Sequence, residues 1–170
     1  MGRNGTDSKA GGPAGPALEP GYWRRKTLAQ MSDAEWEALC DGCGRCCLVL
    51  IEEEDVGDIW ETDVHCRLYD PAARRCRDYA NRHENVPDCV RLSAATVPQL
   101  PWMPETCAYR LVAEGRDLFD WHPLVSGDPD GAAKAGVAVP KRGTRAEDRV
   151  SDPLEDRITR RRFKAPRRRG

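Results

Sequence analysis

Four cysteines fall within eight residues, Cys40-Asp41-Gly42-Cys43-Gly44-Arg45-Cys46-Cys47, and Cys66, Cys76, Cys89 and Cys107 follow. A chain with this pattern must arrange its fold around sulfur. Two residues between cysteines let a pair of thiolates turn onto one metal ion. Gly42 and Gly44 break the preceding helix and leave amide N–H groups near the sulfurs. Cys40-x-x-Cys43-Gly44 has the form of a zinc knuckle, and Cys43-x-x-Cys46 repeats the spacing. Three such cysteines plus one remote cysteine also make the ligand pattern of a 4Fe–4S cluster. Cys66, Cys76 and Cys89 are the candidates for the remote position. The expected metal ligands are therefore Cys40, Cys43, Cys46, Cys47, Cys66, Cys76 and Cys89, holding zinc or iron. If Cys47 begins a strand, it points away from Cys46 and fills a core or serves a second site. Cys107, in an apolar helical stretch, is as well explained as a core residue as it is as a ligand.

The surrounding sequence sets where this chemistry happens. The longest apolar run is Cys46 to Ile51, far short of the roughly 20 residues a helix needs to cross a bilayer. Arg3 and Lys9 are followed by glycine and proline, not by the apolar stretch of a signal peptide. The expected location is the cytoplasm, where thiols stay reduced and eight cysteines argue for metal or redox chemistry over four disulfides. No phosphate-binding loop, dinucleotide fingerprint or nucleophile elbow is present.

Charge is split along the chain. Residues 141–170 carry 12 Lys/Arg against 5 Asp/Glu, whereas residues 1–140 carry 15 against 23. The acidic run Glu52 to Asp55 reads as a solvated strand edge. Arg160-Arg161-Arg162 and Arg167-Arg168-Arg169 read as a disordered basic tail able to touch nucleic acid weakly. Residues 1–20, rich in glycine and proline, read as a disordered arm. The domain plan is thus an arm at 1–20, a cysteine-cluster domain at 21–140, and a basic, largely disordered tail at 141–170.

Within the body, Ser32-Asp33-Ala34-Glu35 is a capping box, with Met31 and Trp36 placed for a hydrophobic staple. The helix it starts turns Trp36 and Leu39 inward and ends at Cys40. Leu48–Ile51 and Ile59–Val64 read as strands joined through Gly57. Tyr69-Asp70-Pro71 marks a turn. Short helices are expected at 77–84 and 105–114, the second capped by Gly115. Residues 127–136 read as a flexible surface loop, and 136–139 as a last strand. Of the histidines, His65 is best placed to join the cysteines, and His122 reads as structural. The fold class is α+β: a small single domain of short helices and a small antiparallel sheet, organised around a cysteine metal site with disordered termini.

Residues 22–158 resemble the YcgN-type branch of the CxxCxxCC (YkgJ-like) cysteine-cluster proteins, bacterial proteins described as zinc- or iron-chelating. The likeness lies in Lys26-Thr27-Leu28, Met31 to Glu37, Leu39 to Cys47, Cys66-Arg67-Leu68, Cys76 to Tyr79, Pro87-Asp88-Cys89, Thr106 to Leu111 and Trp121 to Leu124. In the wider family the later cysteines correspond to Cys66, Cys76 and Cys89; Cys107 is similar to a feature of this branch alone. The resemblance implies a metal or iron–sulfur role and no particular reaction. Three functions are expected from the sequence. The first is a metal-binding protein, with zinc fixing a fold that faces a protein partner. The second is an iron–sulfur or thiol redox protein, including an enzyme. The third is a zinc module that binds RNA through its tail.

Overall fold

The computed structural model describes residues 18–164. The arm expected at 1–20 lies outside the described residues except for Leu18, Glu19 and Pro20. Leu18 packs against the main core. Glu19 pairs with Arg25 at 2.7 Å.

The capping box forms as its sequence dictates. Ser32 accepts from the Glu35 amide at 3.3 Å, and Glu35 Oε2 accepts from the Ser32 amide at 2.8 Å. This starts helix α1, Asp33–Ala38. Trp36 and the fully buried Leu39 join a core of Tyr22, Trp23, Leu28, Val97, Met103, Tyr109, Leu111 and Leu118. Helix α2 is Arg82–Asn85, shorter than the sequence suggested. Helix α3, Ala108–Ala113, starts at Cys107 as its N-cap and ends at Gly115. There the Gly115 amide donates to the Val112 carbonyl and the Arg116 amide to the Leu111 carbonyl, a pattern that satisfies the orphaned carbonyls of a helix end. Tyr109 carries α3 onto α1: its hydroxyl donates to the Trp36 carbonyl at 3.0 Å.

The second layer is a four-stranded sheet. Strand β1 (Leu48–Glu52) pairs antiparallel with β2 (Ile59–His65). A hairpin of two-residue strands, β3 (Tyr69–Asp70) with β4 (Arg75–Cys76), follows, so Tyr69 and Asp70 are strand residues and the turn lies beyond them. Helices α4 (Pro123–Ser126) and α5 (Gly131–Lys134) complete the body. The segment 127–136 is no flexible loop, because α5 buries Ala132 completely. Among the described residues, the segment 136–139 pairs with no strand. It packs instead, with Val139 buried and its amide donating to the Cys43 carbonyl at 2.7 Å.

The largest departure from expectation is the tail. Strand β5 (Arg145–Ala146) runs parallel to the end of β2, and β6 (Ile158–Phe163) pairs antiparallel with its first half. The described part of the tail, to residue 164, is therefore folded, and the domain does not end at 140. The reason is charge. Glu61 Oε2 accepts from Arg45 at 2.7 Å, from Arg162 Nε at 2.7 Å and from Arg160 at 3.4 Å. Arg157 holds Asp63 through two nitrogens at 2.7 and 2.8 Å, and Arg161 reaches Asp58 at 3.4 Å. Asp58, Glu61 and Asp63 are thus partners of arginines between 157 and 162, so Arg160-Arg161-Arg162 is no free phosphate-binding run, while Glu52 to Asp55 are exposed as a solvated edge requires. Arg162, with 3 % of its side chain exposed, is unavailable to nucleic acid. Arg167 to Arg169 lie outside the described residues.

Candidate metal centre

The cysteine loop joins two cores. Cys40 follows Leu39 out of the main core, and Cys107 packs against that same core. Cys47 and Cys66 pack against a second, small cluster of Leu48, Tyr69 and Val139. Short backbone links hold the loop between them. The Cys43 amide donates to Asp41 Oδ1 at 2.9 Å, the Cys47 amide to the Gly44 carbonyl at 2.9 Å, and the Cys66 amide to the Cys47 carbonyl at 2.8 Å. Gly44 is required here twice over. Its φ of +73° suits glycine, and a Cβ at this position would lie 1.9 Å from the Tyr69 hydroxyl.

Residues 45–47 form a 3₁₀ turn and β1 begins only at Leu48. Cys47 is therefore not a strand residue, and the opposite-face expectation for Cys46 and Cys47 fails. The two thiols interact: the Cys47 side chain, ahead of burial, is what drives the Cys46 thiol pKa well above its usual value. Burial, then the charge of Cys46, pushes Cys40 up to about 12. Burial, then Asp41 and Cys46, raises Cys43. Burial also pushes Cys107 up to about 12, against the amides of α3 and with Cys46 adding to the rise. Cys40 and Cys46 are exposed as residues, so the loop has an open rim, yet protein packs densely enough around the sulfurs to disfavour charge.

Cys46 is thus the common neighbour of Cys40, Cys43 and Cys107. A second group consists of Cys66, Cys76 and Cys89. Burial raises the Cys66 and Cys89 thiols, and each of these two feels the other members or Cys46. The Leu68 amide donates to the Cys66 sulfur at 3.4 Å, the kind of N–H···S bond that steadies a thiolate. All eight cysteines are free. The sulfurs neighbour one another without closing on a point: among the described residues no three His, Cys, Asp or Glu side chains converge tightly enough to hold an ion.

The donor set nonetheless suits zinc or iron, both of which take thiolate ligands. Two buried oxygens beside the thiols have no partner, Asp41 Oδ2 and the Tyr69 hydroxyl. An unsatisfied buried polar atom costs about 1–3 kcal/mol, so a group bound beside the thiols would gain by pairing with these two. Two of the three histidines have protein partners. His122, 1 % exposed, caps α4 by accepting from the Leu124 amide at 3.1 Å while its other nitrogen meets the Leu39 carbonyl at 3.1 Å. Burial lowers its pKa. His65 is buried, with Nδ1 2.9 Å from the Cys66 carbonyl.

Sequence reasoning undervalued three residues. Cys107 was indistinguishable from core cysteine, although its place just ahead of α3 was a usable signal. In the sequence Tyr69 reads as a turn residue and Asp41 only as part of the cysteine loop. Both contribute side chains to the sulfur neighbourhood.

Comparison with known proteins agrees with this picture. Residues 39–108 match the CxxCxxCC family model, described as "Putative zinc- or iron-chelating domain". The chain is 59% identical over 138 residues to a UPF0260 protein of Rhodopseudomonas palustris strain BisA53, covering 81% of each. It is 55% identical over 148 residues to one of Nitrobacter hamburgensis, covering 86% of each. A third, from Rhizobium leguminosarum, is 53% identical over 137 residues, 81% of this chain and 86% of the relative. No solved structure matches it. With relatives this similar along most of their length, the chain belongs to the UPF0260 family of cysteine-cluster proteins.

Proposed function

We propose that the protein chelates zinc or iron through two neighbouring sets of thiolates in the reduced environment of the cytoplasm. Cys40, Cys43, Cys46 and Cys107 form one set; Cys66, Cys76 and Cys89, with Cys47, form the other. The observation that carries this reading is that Cys46 is an electrostatic neighbour of Cys40, Cys43, Cys107 and Cys89 at once. Loading requires the side chains to rotate inward, since their resting positions do not converge. Among the described residues no helix is long and apolar enough to cross a membrane.

The metal's chemical task follows from its identity. Zinc closed by four thiolates has no redox chemistry and no place for substrate. It would fix the loop between the two cores, leaving function to a surface and a protein partner. Iron, as an ion or a 4Fe–4S cluster, would supply electron transfer.

Proton release tests the reading. Metal-free thiols with raised pKa values are protonated near neutrality, so each ligand must give up a proton as metal binds. Zinc titrated into the reduced, metal-free protein is expected to release protons. Its apparent affinity should rise by about tenfold per pH unit for each proton displaced, and fall correspondingly as the solution is acidified. Absent zinc uptake, or uptake with no proton release, would contradict thiolate chelation.

A further inference from the structure

Tyr69 stands where a turn residue has no need to be. Its side chain is 2 % exposed, it comes from hairpin strand β3, and its hydroxyl lacks a partner. The ring reaches into the space that any side chain at position 44 would occupy, which brings the hydroxyl against the middle of the cysteine loop. Cys47, whose amide closes that turn onto the Gly44 carbonyl, packs in the same small cluster as Tyr69. The ring is anchored from behind: His65 meets it edge-on at 5.8 Å, and the Tyr69 amide donates to the Cys66 carbonyl at 2.9 Å. A phenol so fixed cannot swing to solvent for a partner.

We propose that the Tyr69 hydroxyl is a positioning donor, giving an O–H···S hydrogen bond to a metal-bound thiolate of the Cys43–Cys47 turn. The inference rests on the chelation reading above and adds a residue outside the cysteine set. The chemistry explains the orphaned atom. A neutral thiol is a weak acceptor, whereas a metal-bound thiolate is a charged one, and hydrogen bonds to charged groups are the stronger kind. A phenol supplies that bond with no added charge. Partners of this type orient a ligand and tune its metal, and losing one typically lowers metal affinity about 10–100-fold.

Tyr69→Phe in the full-length chain is the test, because it removes only the oxygen. In the metal-free protein that oxygen is unsatisfied, so the variant is expected to melt no lower than wild type. With zinc, measured by competition with a chelator, it should bind roughly tenfold more weakly. Loaded with cobalt(II), its sulfur-to-metal charge-transfer band should move to longer wavelength, since the lost donor had stabilised the sulfur lone pairs. Unchanged zinc affinity and an unchanged cobalt band, in a wild type that does bind, would overturn the Tyr69 role and leave chelation standing. A metal-free variant destabilised in step with its affinity would reduce Tyr69 to packing and also overturn the proposal. A wild type that takes up neither metal would remove both readings.

Discussion

Glu61→Ala is expected to destabilise the protein by about 3–5 kcal/mol, the cost of leaving buried charge without its counter-ion. Glu61 is 9 % exposed in its side chain, and its principal partners Arg45 and Arg162 are 13 % and 3 % exposed. Removing the carboxylate strands both guanidiniums in a low-dielectric setting. The effect should spread, because the three residues come from different parts of the fold. Arg45 belongs to the cysteine loop, Glu61 to the central strand β2, and Arg162 to β6. Arg162 also donates to the Arg45 and Trp102 carbonyls, each at 3.3 Å. The matching variant Arg162→Ala should cost less, because Glu61 retains Arg45 and Arg160. Urea unfolding of the three proteins checks both statements. A Glu61→Ala protein within about 1 kcal/mol of wild type would show that this cluster is not what seats the C-terminal strand.

The second large effect concerns metal itself. Structural zinc sites bind with about 10–16 kcal/mol, or roughly 3 kcal/mol for each of four sulfurs. Cys43→Ala should therefore weaken zinc or iron binding by about a hundredfold. Cys43 is the buried member of the loop, held by its amide to Asp41 and by its carbonyl to Val139. Its sulfur is the least able to be replaced by movement of a neighbour. Cys107→Ala is the informative companion. A loss of similar size places it with Cys40, Cys43 and Cys46, while unaltered binding would return it to the core of α3. Competition against a chromophoric chelator, under anaerobic conditions, measures both.

What the sequence made legible was local. Ser32 and Glu35 are three residues apart, and their reciprocal hydrogen bonds can be read from the letters alone. The same holds for Gly115 ending α3 and for the positions of strands β1 and β2. What it hid depended on distance along the chain. Glu61 and Arg162 are 101 residues apart, so nothing local to either shows that the basic tail returns to pair with β2. The site divides in the same way. Cys40, Cys43 and Cys46 announce themselves by spacing. Cys107 does so only once Tyr109 has docked α3 against Trp36. Tyr69 has no signal at all until the hairpin brings it beneath Gly44. The positions of Cys46 and Cys47 went unforeseen because a 3₁₀ turn, not a strand, carries them.

The central claim is that these cysteines exist to hold a metal. It is tested most directly by elemental analysis, an absorption spectrum and a count of reactive thiols on protein purified without oxygen. The account predicts stoichiometric zinc in a colourless protein, or iron in a coloured one, with the thiols of the Cys40–Cys47 loop unreactive until a chelator strips the metal. Metal-free protein that takes up neither zinc nor iron, with loop thiols that react freely from the start, would contradict it.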